Sequence, residues 1–295
     1  MGQSDRRPRS MTIQSECIAC IAGQSRRVCE AIHADKSLSE HIINYVETAL
    51  QSADFTLSPP VIAAPLYEGM AKLAQTADLY DEQKRHATIQ AKSYLPFLEE
   101  TIQNSHDPFI AILKTAVVGN VIDLAAEVSF DLHNAITSVF DTPFAQDESE
   151  SLRHALTEAK SVLYIGDNTG EHLFDALAIR ELQKLYPKIV FSYMVRGAPI
   201  INDVTLKEAH EAGMEQICRV VDSGVPTPGF VYELASTEAK NLFDHADLII
   251  AKGMGNYECM TPQQRLNICF LLKVKCSVVA ESLGQQIGDI VCKLS

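Results

Sequence analysis

From Cys17 to about Asn134 the apolar residues return every three or four positions, as in Ile42, Ile43, Val46 and Leu50, or Ile110, Leu113, Val117 and Val118. That spacing places them along one side of a helix, so this half reads as helices throughout. Ser58-Pro59-Pro60 and His106-Asp107-Pro108 punctuate it, and the second predicts Asp107 as an N-cap with Pro108 at the first helical position. The polar, acidic stretch from Asp141 to Glu150 reads as a linker. Beyond it, short runs rich in β-branched residues alternate with helical segments: Val162 to Ile165, Ile189 to Val195, Ile217 to Val221, Leu248 to Ala251 and Ser277 to Ala280. Alternation of this kind predicts βαβ units and a parallel sheet.

The residues that end these runs carry the chemistry. They are Asp167, Arg196 with Asn202-Asp203 beyond it, Asp222, Lys252 and Glu281. In a parallel sheet the carboxyl ends lie on one edge, where open α/β sheets bind their ligands. The segment Gly166-Asp-Asn-Thr-Gly-Glu171 offers oxygen ligands suited to a hard or borderline cation. Its Thr169-Gly170 turn opens a helix whose free N–H groups suit a phosphate oxygen. Glu171 falls on the first helical turn, where it could contact the metal, position a water or take a proton. Asp175, one turn on, reads chiefly as a partner for a Lys or Arg. Lys252 would add positive charge from another strand end, with Gly253 and Gly255 letting the backbone come close. Each residue alone has a plainer reading: Asp167 and Asp203 could each be only a helix N-cap.

Composition narrows the setting. The chain has 295 residues, 46% of them hydrophobic, enough for a well-buried core in one large unit or two closely joined ones. A net charge of -13 argues against general affinity for nucleic acid or an acidic membrane, so an anionic substrate requires positive charge supplied locally. Eight scattered cysteines and no apolar leader point to a reduced, cytoplasmic location, and no apolar run is long enough to span a bilayer. The polar, Arg-rich residues Met1 to Ser10 read as a disordered tail or a start-site artefact.

Three segments in register, Gly166-Asp-Asn-Thr-Gly-Glu-His-Leu-Phe-Asp175, Val195-Arg-Gly-Ala-Pro-Ile-Ile-Asn-Asp203 and Ile250-Ala-Lys-Gly-Met-Gly-Asn256, resemble the metal-dependent damage-control phosphatases, also known as domain of unknown function 89. Cys17-Ile-Ala-Cys20, Asp107-Pro-Phe and Ala116-Val-Val-Gly-Asn-Val-Ile-Asp123 extend the resemblance into the helical half, and the N-terminal Cys-x-x-Cys resembles the prokaryotic-type branch. The resemblance implies an α/β fold, with an all-helical domain over residues 11–145 packed against a Rossmann-like α/β/α parallel-sheet catalytic domain over residues 146–295. It implies a divalent metal ion (Mn, Co, Ni or Mg) on Asp167, Asn168 and Asp203. The implied activity is hydrolysis of a small phosphorylated metabolite, such as a sugar phosphate or a phosphopantetheine-like compound. Asp167, Glu171 and Lys252 are then the candidate catalytic residues, and Asn120, Asp123, Gly170, Arg196 and Lys252 the candidate substrate-binding ones. Two departures, Ala198 for a glycine and Leu124-Ala125 for the usual Phe-Gly, leave every proposed ligand in place.

Some readings stay open at this level. Water could attack directly, or Asp167 could form a phospho-enzyme. A carboxyl methyltransferase using S-adenosylmethionine and a non-catalytic metal-binding protein are the rival functions, although the glycine-rich first turn of a nucleotide site is missing. Cys17 and Cys20 are packing thiols, a redox pair or part of a metal site that includes a distant cysteine such as Cys276 or Cys292. His172 and His210 read as surface residues.

Overall fold

The computed structural model describes residues 13–121, 132–260 and 267–295, so the expectations for Met1 to Ser10 and for Asp123 fall outside the described residues. Six helices come first: α1 (Ser15–Ala31), α2 (Lys36–Gln51), α3 (Pro59–Ala74), α4 (Asp81–Asn104), α5 (Pro108–Val121) and α6 (Leu132–Asp141). The sheet half then runs β1 (Gln146–Asp147), α7 (Ser149–Glu158), β2 (Ser161–Ile165), α8 (Glu171–Leu185), β3 (Val190–Val195), α9 (Leu206–Glu211) and β4 (Arg219–Asp222). It closes with α10 (Thr237–His245), β5 (Leu248–Lys252), α11 (Gly253–Met260), β6 (Ile268–Lys273), α12 (Ser277–Leu283) and β7 (Ile290–Leu294). Asp107 caps α5 as the sequence predicts, its carboxylate accepting the N–H groups of Phe109 at 3.1 Å and Ile110 at 3.3 Å.

The seven strands lie in the order β1-β7-β6-β5-β2-β3-β4, parallel except for the β6–β7 pair. After β2 the chain builds outward through β3 and β4, then returns to place β5 on the other side of β2. The gap between the carboxyl ends of β2 and β5 is therefore the topological switch point, where doubly wound sheets open a crevice. Alternate residues of each strand serve the two faces. Val162 and Tyr164 pack with α5 and α8 on one side, whereas Leu163 and Ile165 pack with α10 and α11 on the other.

Two sequence expectations are corrected by the structure. Ser277 to Ala280 is helical, because Cys276 caps it (Sγ to the Val279 N–H, 3.5 Å) and Gly284 closes it at φ 67°. The strand of this region is the preceding apolar run, Ile268–Lys273, and β7 pairs back against it. The linker expected between Asp141 and Glu150 contains β1 and the start of α7. Among the described residues α4, α5 and α6 share one apolar core with the sheet, and α1 to α3 gather a cluster of their own.

α5 of the helical half packs against α8 of the sheet half, and Gly119 lets them come close. A Cβ there would run into the Glu171 side chain. Gly119→Ala should therefore lower the thermal unfolding midpoint, opposite in sign to the gain of about 1 kcal/mol that this change brings in an open helix. A midpoint raised by the substitution would show that the two helices have room to spare.

Candidate active site

Neither Asp167 nor Asp203 is a cap: Gly170, at φ 92°, precedes α8, and Thr205 caps α9 in a capping box with Glu208. Two strand-following loops meet here: the Val204 N–H donates to the Asp167 carbonyl at 2.9 Å and the Thr169 N–H to the Asn202 carbonyl at 2.7 Å. Asn168 and Asp203 face each other in an isolated bridge. Asn120, Asp167, Asn168, Asn202 and Asp203 line one cavity of about 340 Å³, which also takes residues from α1, α3, α11 and the end of β6. That volume falls within the range of small-molecule sites.

Behind this surface lies a buried ionic cluster. Arg196, 1% exposed, donates from Nε to Asp203 at 2.7 Å and from Nη1 to the Asn256 side-chain oxygen at 3.2 Å. Its Nη2 lies 3.7 Å from Asp167 and has no hydrogen-bond partner among the described residues. Lys252 is 0% exposed and donates to Asp175 at 2.8 Å and to Glu171 at 3.5 Å. Asp175 also accepts the hydroxyls of Tyr164 at 2.6 Å and Tyr193 at 3.0 Å. Thus Asp175 is a lysine's partner, as its position suggested. Lys252 and Arg196, expected to meet substrate, are turned to these carboxylates and do not line the cavity.

Glu171 is likewise set back. It accepts the side-chain amides of Asn120 and Asn168, the latter at 2.9 Å. The Asn168 amide also reaches Asp167 at 3.0 Å and the Asn120 amide reaches Asp167 at 3.4 Å. With both amide nitrogens given to carboxylates, the Oδ1 atoms of these two cavity-lining side chains have no hydrogen-bond partner among the described residues. Glu171 therefore sets which atom of each amide faces outward. The N–H of Thr169 and that of Gly170, which donates to His172 Nδ1 at 2.9 Å, are engaged and not free for a phosphate oxygen. His172 is buried rather than superficial, and burial pushes its imidazole down to about 4.

The electrostatics test whether a cation fits. Among the described residues Asp167, Glu171, Asp175 and Asp203 form ion pairs with two buried cations, Arg196 and Lys252, so these six groups, fully ionised, would carry two unmatched negative charges. Burial, then the proximity of Glu171 and Asp203, holds the Asp167 carboxyl well above the usual range. Burial also raises Asp203 and Asp175 against the opposing pull of Arg196 and Lys252. Oxygen donors from Asp167, Asn168 and Asp203, crowded by uncompensated charge at a cavity, fit a hard divalent ion.

Residues 13–291 match the family described as the damage-control phosphatase ARMT1-like domain. The chain belongs to this family. It is 31% identical over 284 residues to a damage-control phosphatase of Pyrococcus horikoshii, covering 96% of this chain and 98% of that one. It is 29% identical to a damage-control phosphatase of Archaeoglobus fulgidus, covering 96% and 99%. The crystal structure of a domain-of-unknown-function-89 protein from Pyrococcus horikoshii superposes with a TM-score of 0.89 at 29% identity, over 96% of this chain and 98% of that chain. The damage-control phosphatase fold thus accounts for the whole described arrangement, helical half included.

Within this family member the sequence reading missed several cavity residues: Arg27 on α1, Glu258 on α11, and Lys273 and Lys275 at the end of β6. The signal for the last two was the five-residue apolar run Ile268 to Leu272 directly before them. Cys17, Cys20 and Cys276 line the cavity together, whereas Cys292 lies against Cys269 at 3.8 Å between sulfurs; all eight cysteines are free thiols.

Two predictions follow from the charges. Lys252→Met leaves Asp175 and Glu171 without their buried cation and should cost about 3–5 kcal/mol in urea unfolding; a loss under about 1 kcal/mol would show the cluster to be solvated. Burial pushes the Glu258 carboxyl up to about 7, above its unfolded value. The folded state then holds a proton that the unfolded chain has released, so this group's contribution falls as pH rises from about 4.5 to about 7 and levels off above. Glu258→Gln should remove a decline of about 1–3 kcal/mol across that window, and parallel pH curves for the two proteins would contradict it.

Proposed function

We propose that this chain hydrolyses small phosphate monoesters with the help of a divalent cation held by Asp167, Asn168 and Asp203. The observation that carries the reading is the pair of unmatched negative charges at the switch point, set against a cavity that brings cations of its own. Lys275 lines that cavity and its charge is felt at Asp167. The names of the relatives support a phosphatase, and damage control of phosphorylated metabolites is the role they suggest.

A bound divalent ion would neutralise the phosphate and favour charge development on its oxygens. The chain's own residues do the rest of the positioning. Asn168 presents Oδ1 because its amide nitrogen is held by Asp167 and Glu171, and Asn120 is fixed in the same way from α5. Arg196 holds Asp203 and stands beside Asp167, opposing the burial that raises both carboxyls. Lys275 meets the phosphate from the end of β6. Lys252 holds Glu171 in place, a supporting role that replaces direct contact with the phosphate. Apolar side chains of Ile21, Ala63, Met254 and Val278 line the remainder, so the leaving alcohol has an apolar wall to lie against.

The test uses metal-stripped protein re-supplied in turn with Mg, Mn, Co and Ni, assayed against a panel of phosphate monoesters. Hydrolysis should return with at least one metal, and Asp167→Ala or Asp203→Asn should lower kcat/KM more than about 100-fold while the fold persists. No hydrolysis with any metal would sink the proposal. Saturable binding of S-adenosylmethionine that survives chelation would favour the methyltransferase reading instead.

A further inference from the structure

In this acidic protein many cations are matched by carboxylates: Arg153 with Asp107, Arg180 with Glu99, Lys207 with Asp81 and Arg219 with Glu238. The cavity is different. Arg27, Lys273 and Lys275 all line it, and none forms an ion pair with a carboxylate among the described residues. Lys273 is half-buried at the end of β6, two residues from Lys275. Burial, then the like charge of Lys275, pushes its ammonium down, as happens when no anion offsets either influence.

The acids of the same cavity do not supply that anion. Glu16 is engaged by the Ser277 hydroxyl, and Asp167 and Asp203 are turned to Arg196. Glu258 resists ionisation, because burial pushes it up to about 7. One phosphate with a divalent ion beneath it already has Lys275, the cavity cation felt at Asp167. Arg27, on α1, has its charge felt at Tyr67 and Tyr80 of the helical half. Two cations therefore remain beyond the need of a single phosphate.

We infer that the leaving group of the substrate carries a second anionic group, a carboxylate or another phosphate, received by Lys273 from the end of β6 and Arg27 from α1. The inference rests on the phosphatase reading and narrows its substrate class to doubly anionic monoesters with a body compact enough for the cavity. A charged oxygen group paired with a desolvated lysine and a guanidinium is the interaction such a pair of side chains makes best.

Two matched pairs of esters test it on the metal-loaded protein. Glycerol 3-phosphate and 3-phosphoglycerate differ by a carboxylate, and fructose 1-phosphate and fructose 1,6-bisphosphate differ by a phosphate. The doubly anionic member of at least one pair should have a kcat/KM about tenfold higher or more. The pair that shows the preference tells carboxylate from phosphate. That ratio should collapse towards one in Lys273→Gln, fall in Arg27→Gln and persist in Lys273→Arg, a pattern that a purely structural role for Lys273 does not produce. Ratios near one in the wild-type protein for both pairs, or a preference unchanged in Lys273→Gln, would overturn the inference while leaving the phosphatase reading standing. Failure to hydrolyse any of the four esters, or p-nitrophenyl phosphate, with any metal would remove both.

Discussion

The crowding of four carboxylates around two buried cations, at the point where the sheet changes direction, is the constraint on which the rest of the arrangement depends. Taking Asp167, Glu171, Asp175 and Asp203 out of water together is unfavourable, since burial raises Asp167, Asp175 and Asp203 and the nearby Glu171 adds to the cost of ionising all three. Arg196 and Lys252 offset half of that charge and no more. Burial, the largest single influence on Lys252, works to lower its ammonium, yet Asp175 and Glu171 together keep it above its ordinary value. The lysine is thus held charged by the groups it stabilises, and each cation is shared by two carboxylates: Lys252 by Glu171 and Asp175, Arg196 by Asp167 and Asp203, the latter two lining the cavity.

The helical half is part of this balance and not a cover added to it. Gly119 lets α5 come close enough for Asn120 to bond Glu171, so one amide of the site arrives from the opposite side of the crevice. A second link runs through Lys84 on α4. It is buried against Asp78 at 2.8 Å and Glu208 at 3.6 Å, and its charge reaches Asp203. Glu208 in turn closes the capping box that starts α9 directly after the Asp203 loop. Removing the helical half would expose this ion pair and free the loop in one step.

The sequence made the strand ends legible because their chemistry is local: an apolar run stops at a charged residue, and a parallel sheet brings such stops to one edge. Asp167, Asn168 and Asp203 could be gathered on that argument, and the Asp107 cap of α5 follows from three consecutive residues. What stayed hidden depends on direction and depth. Nothing in the sequence distinguishes a lysine that faces a cavity from one sealed beneath it, so Lys252 reads as a phosphate grip although Asp175 claims it. The same limit turned Ser277 to Ala280 into a strand: four residues of suitable composition cannot reveal that a cysteine side chain caps them as a helix. That misreading concealed the real strand and, with it, the two lysines that end it.

Backbone strain carries the dependence on α1 to α3 one step further. Ile201 adopts φ 45°, a left-handed conformation that a β-branched residue adopts only at a cost of about 1–3 kcal/mol. It stands two residues before Asp203, in the loop tied to the β2 side by the Asn202 and Asp167 carbonyls. The Asp203 N–H closes the turn on the Ile200 carbonyl at 3.0 Å, and the cluster of α1 to α3, in which Ile200 is buried and against which Ile201 packs, fills the space behind it. The side chain of Ile201 also lines the cavity. The packing of the first three helices therefore supports a strained turn two residues before Asp203, whose carboxylate Arg196 holds. A core substitution in α1 to α3, far from any charged group, acts on the proposed cation site through this turn.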